Sequence, residues 1–351
     1  MFSSSDLAVG WAQSLSLLAG AFLLVGLLTP MMRKIAIRAD IMDHPRSSHK
    51  THKEPTPYLG GAAIIIGIVL ITYTALLIEG RPAPDFWVAS SLLMPATVLG
   101  LIGLVDDVRE LSPLPRFIAQ TIAGVVTAAV LIATDTVGNP TGNSAIDALI
   151  TIVWVVGITN SINFFDNLDG GAAGAVAATS LGTFLIARDN GQSFIAALAA
   201  LTFGAMLGFL LWNKSPARIY MGDAGALFLG VLVAVMTLRL DPDVEGRVDS
   251  FAIPLFLLAI PILDTCVAVL SRLRRGISPF QGGRDHLSHR LIRFGLSKRN
   301  AAFALWGMAG GFAMVANVVA HSSGGAELLV GLAAALWVGL FILFFRTRDA
   351  D

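Results

Sequence analysis

The feature that most constrains this 351-residue chain is a series of about eleven apolar stretches, each close to the length of one membrane crossing. A bilayer core of about 30 Å needs about 20 apolar helical residues to span it. The stretches cover residues 8–30, 59–78, 86–105, 117–134, 145–165, 171–187, 193–212, 224–240, 251–271, 301–320 and 326–345. The sixth is rich in Ala and Gly and only just long enough, which leaves ten as the alternative count. We predict an all-α, polytopic integral membrane protein with about eleven transmembrane helices, forming a single transmembrane domain over residues 1–351.

The composition agrees with this prediction. Charged residues make up 14% of the chain, whereas soluble domains carry about 25%, so much of the surface must face something other than water. The formal net charge is zero, which gives no strong field that would attract nucleic acid. Cys266 is the sole cysteine, which excludes a disulfide framework and a cysteine-based metal site.

The distribution of Lys and Arg predicts the orientation. With eleven spans, alternate loops lie on the same side as the C-terminus, and these loops and the tail hold 20 of the 24 basic residues. Cytoplasmic loops carry the excess of positive charge in membrane proteins. We therefore expect a multi-pass cell-membrane protein with its N-terminus outside, its C-terminus in the cytoplasm and its larger loops on the cytoplasmic face.

Acidic residues concentrate at the cytoplasmic ends of three apolar stretches. They are Asp106, Asp107, Asp166, Asp169 and Asp223. Carboxylates at membrane depth are costly and therefore candidates for function, and two adjacent ones do not both stay ionised in a poorly solvated site without a cation. Mg²⁺ prefers carboxylate oxygen and commonly bridges protein to phosphate, with Mn²⁺ as the alternative. Glycines that allow close backbone approach accompany the acids, namely Gly170, Gly171, Gly222 and Gly225.

Each of these features also has a purely structural interpretation. The acidic pair could be interfacial charge in water, and Asp223 could be an ordinary helix N-cap. Asp166 and Asp169 could shape a turn, and His286 and His289 could be solvated loop residues. The concentration of all of them on one face, among few charges overall, favours a phosphate-handling site.

The motifs that carry these residues resemble those of the polyprenyl-phosphate N-acetylhexosamine-1-phosphate transferases, a superfamily that includes the phospho-N-acetylmuramoyl-pentapeptide transferases. Five segments match in order: DHPRSSHKTHKEPTPYLGG (43–61), GLIGLVDDVRELSPLPRFIAQ (100–120), NSINFFDNLDGGAAG (160–174), NKSPARIYMGDAGALFLG (213–230) and SPFQGGRDHLSHRL (278–291). Five ordered segments with matching topology are more specific than any single motif.

The resemblance implies a reaction and its partners. Such enzymes transfer a sugar 1-phosphate from a UDP-sugar to a membrane polyprenyl phosphate, release UMP and leave a polyprenyl-pyrophosphoryl sugar for cell-envelope glycans. Catalysis of phosphoryl transfer is mostly positioning and charge neutralisation, which suits carboxylates, Mg²⁺ and basic loops at the inner interface. We expect N-acetylglucosamine as the sugar, and a homodimer is left open as the oligomeric state.

Residue roles follow from the motifs and the resemblance together. Asp223 is expected to bind Mg²⁺ directly with Asp107 close by, and Asp106 to hold or deprotonate the attacking polyprenyl phosphate. The expected catalytic set is Asp106, Asp107, Asp166 and Asp169. The expected substrate-binding set is Arg46, His49 and Lys53 for the lipid phosphate, Asn163 for the nucleotide side or hydrated metal, Arg116, and His286, His289 and Arg290 for the donor phosphates. A covalent aspartyl intermediate remains the alternative mechanism.

Three positions depart from the family pattern. Arg116 stands where many members have Lys, which keeps the charge and changes its geometry. Ser288 takes the middle place of a loop that often reads His-x-His-His, which disfavours the pentapeptide branch. Ala226 replaces a common Ser. These departures affect the choice of sugar and leave the carboxylates intact.

The ninth stretch contains Pro254 and Pro261, which should kink or break its helix, followed by Asp264. One interpretation is a structural kink with an internally hydrogen-bonded carboxylate. The other is a bent helix that opens a groove for the lipid tail. The two are compatible.

Other functional classes share some of these features. Secondary transporters combine many helices with intramembrane acids and broken helices, but they tend to place coupling acids near the midplane and in repeated halves. A lipid-pyrophosphate phosphatase needs similar phosphate contacts, but it would more naturally show an Arg-rich clamp and a nucleophilic His. Both stay as alternatives to the transferase.

Overall fold

The computed structural model describes residues 10–43, 55–109, 113–133, 141–242, 244, 247–279, 283–322 and 325–347. Within these residues the backbone forms thirteen α-helices and one two-stranded sheet. The elements are α1 (Trp11–Arg38), β1 (Met42–Asp43), β2 (Thr56–Pro57), α2 (Gly60–Ile78), α3 (Ala83–Arg109), α4 (Pro113–Ala133), α5 (Ser144–Phe165), α6 (Gly171–Asp189), α7 (Ser193–Asn213), α8 (Gly222–Leu238), α9 (Arg247–Leu257), α10 (Ala259–Arg274), α11 (Leu287–Arg293), α12 (Lys298–Ala320) and α13 (Glu327–Arg346). The all-α prediction is confirmed.

The apolar stretches of the sequence correspond to helices of the structure. In the described part of the chain, nine helices are long and apolar enough to cross a membrane. Helices α9 and α10 form one further apolar segment that is bent by 75°, and α8 is a shorter apolar helix of 17 residues. The prediction of a polytopic membrane protein is confirmed.

Two helices extend further than their apolar stretches. Helix α1 continues to Arg38, well beyond residue 30, and α3 continues to Arg109. Asp106 and Asp107 therefore lie in the last turns of α3 and not after its end. A helix satisfies its backbone hydrogen bonds internally, so it continues past the point where the side chains become polar.

Helix α8 forms the centre of the bundle and packs against α2, α3 and α5. Almost all of its residues are buried, because it is apolar on every side. Helix α13 lies at the periphery, where it buries only Ala333 and Phe344. The body of α8 is therefore enclosed by protein, with Asp223 at its start partly exposed, whereas the outer helices present apolar side chains to lipid.

Short backbone contacts join the start of α2 to the start of α8. Strands β1 and β2 pair antiparallel, with Met42 opposite Pro57. The N–H of Tyr220 donates to Pro57 O (2.9 Å), and the N–H groups of Gly60 and Gly61 donate to Tyr220 O (3.0 Å) and Met221 O (2.9 Å). These contacts hold the segment before α8 in a fixed position.

The predicted break in the ninth apolar stretch is confirmed. Helices α9 and α10 meet at Leu258, and Pro254 and Pro261 lie on either side of it. Asp264 is fully buried in α10 and accepts hydrogen bonds from His286 Nδ1 (2.7 Å) and from the N–H of Leu287 (2.6 Å). The internally hydrogen-bonded carboxylate is thus confirmed, and the lipid-tail groove stays a prediction.

Candidate active site

The ends of α3 and α8 place Asp107 against the first turn of α8. Asp107 Oδ1 accepts from the N–H of Asp223 (2.8 Å), and Asp107 Oδ2 accepts from the N–H of Ala224 (3.1 Å). The first N–H groups of a helix have no partner within the helix, and a carboxylate there also interacts favourably with the helix dipole. Asp107 therefore caps α8 from another helix and fixes the position of the Asp223 backbone.

Arg116, near the start of α4, lies between two of the acids. Its Nη1 donates to Asp106 Oδ2 (2.6 Å) and also to Asp223 Oδ2. The guanidinium thereby offsets part of the negative charge of the two carboxylates. Substrate binding was the predicted role of Arg116, and the structure places it within the acidic cluster as its counter-ion.

Asn163 supplies the third contact to Asp223. Its Nδ2 donates to Asp223 Oδ1 (2.6 Å), so each oxygen of that carboxylate has a protein donor. One helical turn earlier, Asn160 Nδ2 donates to Gln120 Oε1 (2.6 Å) and thereby ties α5 to α4. Asn160 and Gln120 stand out in the sequence only as parts of motifs, and their separation along the chain gives no sign of their contact.

Asp166 and Asp169 follow α5 and have different surroundings. Asp169 Oδ2 accepts from the N–H of Ala217 (3.1 Å), so Asp169 joins its loop to the segment before α8. Asp166 lies at the C-terminus of α5, and its side chain has no hydrogen bond among the described residues. Burial, followed by the charges of Asp223 and Asp169, raises the pKa of Asp166 to about 7. Asp166 is thus the acid of this group best placed to gain from an added cation.

Glycine is required where backbones approach these acids. Gly222 has φ +67°, and a Cβ there would lie 2.4 Å from Asp107 Oδ2. A Cβ on Gly103 would lie 2.4 Å from the carbonyl oxygen of Asp223. The predicted close backbone approach at Gly222 is confirmed, and any larger residue there would displace the capping carboxylate.

His286, which precedes α11, and His289, which lies in α11, have different surroundings. His286 is buried, with Nδ1 on Asp264 and Nε2 at 3.0 Å from Arg272 Nη2. His289 is half-buried, its ring centroid 6.4 Å from that of His286, and it has no hydrogen-bond partner among the described residues. Burial lowers the pKa of His289 to about 4, so His289 is neutral at pH 7.

Arg290 is directed away from the other predicted site residues. It is fully buried, and its guanidinium donates to Phe344 O (2.6 Å), Thr347 O (2.6 Å), Ser271 Oγ (2.8 Å) and Asp285 O (2.8 Å). These contacts attach α11 to the end of α13. Donor-phosphate binding was the predicted role of Arg290, and the structure places its guanidinium inside the protein.

Three predicted lipid-phosphate residues, Arg46, His49 and Lys53, lie outside the described residues. The neighbouring Tyr58 and Tyr220 are described, with ring centroids 6.3 Å apart. Burial and the adjacent Asp43 raise the pKa of Tyr58, and burial and Asp169 raise the pKa of Tyr220. Both phenols therefore stay protonated, and the two rings add no further negative charge next to the acids.

The atoms of this site that could bind a metal ion suit Mg²⁺. Asp106, Asp166 and Asp223 offer only oxygen, and Mg²⁺ is usually held by one or two carboxylates, several waters and substrate phosphates. Over the described ranges, no group of three or more His, Cys, Asp or Glu side chains is arranged to hold an ion by itself. Arg116 is the positive charge between Asp106 and Asp223. A site completed by substrate phosphate fits these residues better than a closed protein cage.

Known proteins have sequences similar to most of this chain. The family described as "Glycosyl transferase family 4" matches residues 89–241, a range that includes the acids of α3, α5 and α8. A Bacillus subtilis (strain 168) protein named "Probable undecaprenyl-phosphate N-acetylglucosaminyl 1-phosphate transferase" is 30% identical over 331 residues, covering 92% of this chain and 86% of the relative.

Two further relatives differ in how much of this chain they match. The decaprenyl-phosphate N-acetylglucosaminephosphotransferase of Mycolicibacterium smegmatis is 31% identical over 354 residues, with 92% of this chain and 86% of the relative covered. The phospho-N-acetylmuramoyl-pentapeptide-transferase of Streptococcus equi subsp. zooepidemicus (strain MGCS10565) is 29% identical over 208 residues, covering 54% of this chain and 60% of the relative. The similarity thus extends over more of the chain in the N-acetylglucosamine group.

Proposed function

Because the chain belongs to glycosyl transferase family 4, we propose that it transfers N-acetylglucosamine 1-phosphate to a polyprenyl phosphate in the membrane. One observation carries this proposal. The chain matches N-acetylglucosamine-phosphate transferases over 92% of its length, and the acids within the matched region converge at the ends of α3, α5 and α8. The chain is a multi-pass membrane protein, which suits a lipid acceptor.

The proposed donor is UDP-N-acetylglucosamine. A phosphate oxygen of the polyprenyl phosphate attacks the phosphorus that bears the sugar, and a new P–O–P linkage forms. The bond from that phosphorus to the oxygen of UMP breaks, and UMP leaves with the electron pair. The products are UMP and polyprenyl-pyrophosphoryl N-acetylglucosamine, a starting lipid for cell-envelope glycans.

The acids have different contacts, and we propose a separate role for each of them. The backbone of Asp223 is fixed at the capped start of α8, while its carboxylate oxygens contact only side chains, so it is the acid most readily presented to a Mg²⁺ ion. When bound, Mg²⁺ would neutralise the developing charge on the leaving phosphate. Asp166 would face the donor side, and Asp169 would hold the loop that carries it. Asp107 contributes by fixing the backbone of Asp223.

Asp106 would orient the acceptor phosphate. It is buried and ion-paired with Arg116, and a carboxylate paired with a guanidinium is a weakened nucleophile. A phosphate that is already ionised at pH 7 needs little help from a base. The pairing therefore supports direct displacement over a covalent aspartyl intermediate.

The basic residues support a cytoplasmic site. The side of the membrane with 20 of the 24 Lys and Arg residues is the side at which α3 and α5 end and α8 begins. A nucleotide sugar made in the cytoplasm would reach the acids from that side. The lipid phosphate would lie at the same interface.

The test is release of UMP by the protein in lipid nanodiscs. UDP-N-acetylglucosamine, UDP-N-acetylgalactosamine and UDP-N-acetylmuramoyl-pentapeptide are offered separately, with and without polyprenyl phosphate and Mg²⁺. UMP formed only from the first donor, only with acceptor and metal, and lost in Asp223→Asn supports the proposal. UMP from the pentapeptide donor indicates the related branch, and inorganic phosphate release from lipid pyrophosphate indicates a phosphatase. Solute uptake without UMP indicates a transporter.

A further inference from the structure

The ring of His286 has both nitrogens engaged by charged protein groups. Nε2 lies 3.0 Å from Arg272 Nη2, and Nδ1 lies 2.7 Å from Asp264 Oδ2. A guanidinium only donates hydrogen bonds, so Nε2 must accept, and the ring proton is on Nδ1, where it is donated to Asp264. This assignment of the neutral tautomer follows from the hydrogen-bond network. Neither nitrogen of His286 is left to contact a substrate.

Asp264 uses its second oxygen to begin α11. Asp264 Oδ1 accepts from the N–H of Leu287 (2.6 Å), the first residue of that helix. The side chain of His286, the residue before α11, does not cap the helix, so Asp264 performs this function from α10. One fully buried carboxylate thus sets both the ring of His286 and the start of α11.

Besides His286, Arg272 contacts two further residues of the loop before α11. Its Nε donates to Asp285 Oδ2 (2.9 Å) and its Nη1 donates to Pro279 O (2.7 Å). Asp285 also accepts from Arg275 Nη2. Arg272 and Asp285 are both nearly inaccessible to solvent, and buried ion pairs of this kind stabilise only when their remaining donors and acceptors are satisfied. Here the remaining polar atoms of Arg272 contact Pro279 O and His286, and the second oxygen of Asp285 accepts from Arg275.

The network lies directly against the acid-bearing end of α5. The ring of Phe164 packs edge-on to His286, with centroids 6.2 Å apart, and Arg272 lies 5.6 Å from the centre of the same ring. Ser288 Oγ donates to Asn167 Oδ1, next to Asp166. The orientation of α11 and the loop after α5 are therefore coupled.

We infer that Asp264 and Arg272 are positioning residues for transfer, acting through the ring of His286, whose two nitrogens they engage. The network holds α11 in one orientation, so that the ring of His289 is presented beside the donor phosphates next to Asp166. His286 has no contact with substrate in this arrangement, and His289 is the histidine that meets the donor. This inference rests on the proposed function, and its structural part stands independently of it.

The first test is Asp264→Asn, measured by hydrogen–deuterium exchange and by steady-state kinetics in nanodiscs. An amide at residue 264 cannot accept from both Leu287 and His286, and if it donates to Nδ1 it forces Nε2–H against Arg272. Exchange over residues 286–293 should accelerate while exchange in α12 stays unchanged. The KM for UDP-N-acetylglucosamine should rise about tenfold or more, the usual size of such supporting contacts, with the KM for polyprenyl phosphate unchanged.

Asp147→Asn is the matched control, since Asp147 is a buried acid near the opposite end of α5. It should change neither exchange in α11 nor the donor KM. His286→Gln supplies a second variant, because a neutral amide keeps one donor and one acceptor. It should retain the wild-type donor KM within a few-fold, whereas His286→Ala should behave like Asp264→Asn.

Two outcomes would overturn the inference. One is unchanged exchange over residues 286–293 in Asp264→Asn. The other is loss of activity in His286→Gln with normal exchange, which would make His286 a direct substrate contact. If the wild-type protein releases no UMP, the proposed function fails, and the exchange measurement still decides whether Asp264 orders α11.

Discussion

Asp107 accepts a hydrogen bond of 2.8 Å from the backbone N–H of Asp223, across the contact between α3 and α8. The two acids are 116 residues apart in sequence and lie side by side, but their carboxylates have different partners. Asp107 has both oxygens on backbone N–H groups, whereas Asp223 has both on side chains. Side chains can rearrange around an incoming ion more readily than a helix terminus can.

Asp107→Asn and Asp223→Asn should therefore have different effects on the stability and activity of the protein. The amide at 107 would leave one N–H of α8 without an acceptor, which costs about 1–3 kcal/mol when buried. We expect Asp107→Asn to lower the thermal midpoint of the metal-free protein and also its activity. Asp223→Asn should abolish UMP release while leaving that midpoint near the wild-type value. Equal destabilisation by both variants would contradict this division.

Arg116 should compete with Mg²⁺ for the same carboxylates. Arg116→Gln removes the charge between Asp106 and Asp223, so Mg²⁺ binding should strengthen by about tenfold, comparable to the effect of a close charge on a carboxylate. The transfer rate should fall. Titration of the thermal midpoint with Mg²⁺ measures the affinity without turnover. Arg109→Gln, an exposed arginine at the end of α3, is the control and should leave the titration unchanged.

Asp166 should make the metal-free protein less stable as the pH rises. Its folded-state pKa is raised to about 7 from an ordinary value of 3.8, so the folded state binds the proton more tightly and stability is lost as the pH rises from about 4 to about 7. Asp166→Asn should therefore raise the thermal midpoint more at pH 8 than at pH 5. The experiment compares the two midpoints without metal, with Asp85→Asn at the opposite end of α3 as control. A stabilisation that is independent of pH would show that ionisation of the buried Asp166 carboxyl is not its cause.

Gly61 should tolerate no side chain. A Cβ at this position would lie 2.2 Å from the backbone nitrogen of Gly225, where α2 meets α8 and neither backbone can yield cheaply. Gly61→Ala should reduce both the yield of folded protein and its thermal midpoint. Gly307→Ala, where a Cβ meets nothing within 4 Å, should be neutral or slightly stabilising because Ala favours helix. Equal effects of the two substitutions would show that the contact is not a constraint.

Much of the fold follows from the sequence because the bilayer restricts the choice. Runs of about 20 apolar residues can only be helices there, so the all-α membrane architecture was predictable. The break near Leu258 followed from Pro254 and Pro261. The ends of the helices were harder to predict from the sequence. Helices α1 and α3 continue through polar residues, at which the apolar pattern of the sequence ends.

The sequence could supply candidate residues for the site, but it could not supply their contacts. Sequence spacing alone cannot show that Asp107 caps α8, because that contact joins residues 116 positions apart. The same holds for Arg290, whose basic character suggested phosphate binding but whose guanidinium contacts the end of α13, more than fifty residues further along the chain. Burial of a charge by distant elements leaves no signal in the local sequence.

The placement of Arg116 also bears on how the protein is made. Chains enter the membrane from their N-terminus as they leave the ribosome, and uncompensated acids at membrane depth oppose insertion. Arg116 follows Asp106 by ten residues and precedes Asp223, so the positive charge that both of these acids contact is already in the chain when Asp223 is made. The pairing of Asp106 and Asp223 with Arg116 therefore needs no metal ion or nucleotide, whereas His289 is synthesised only after all three residues.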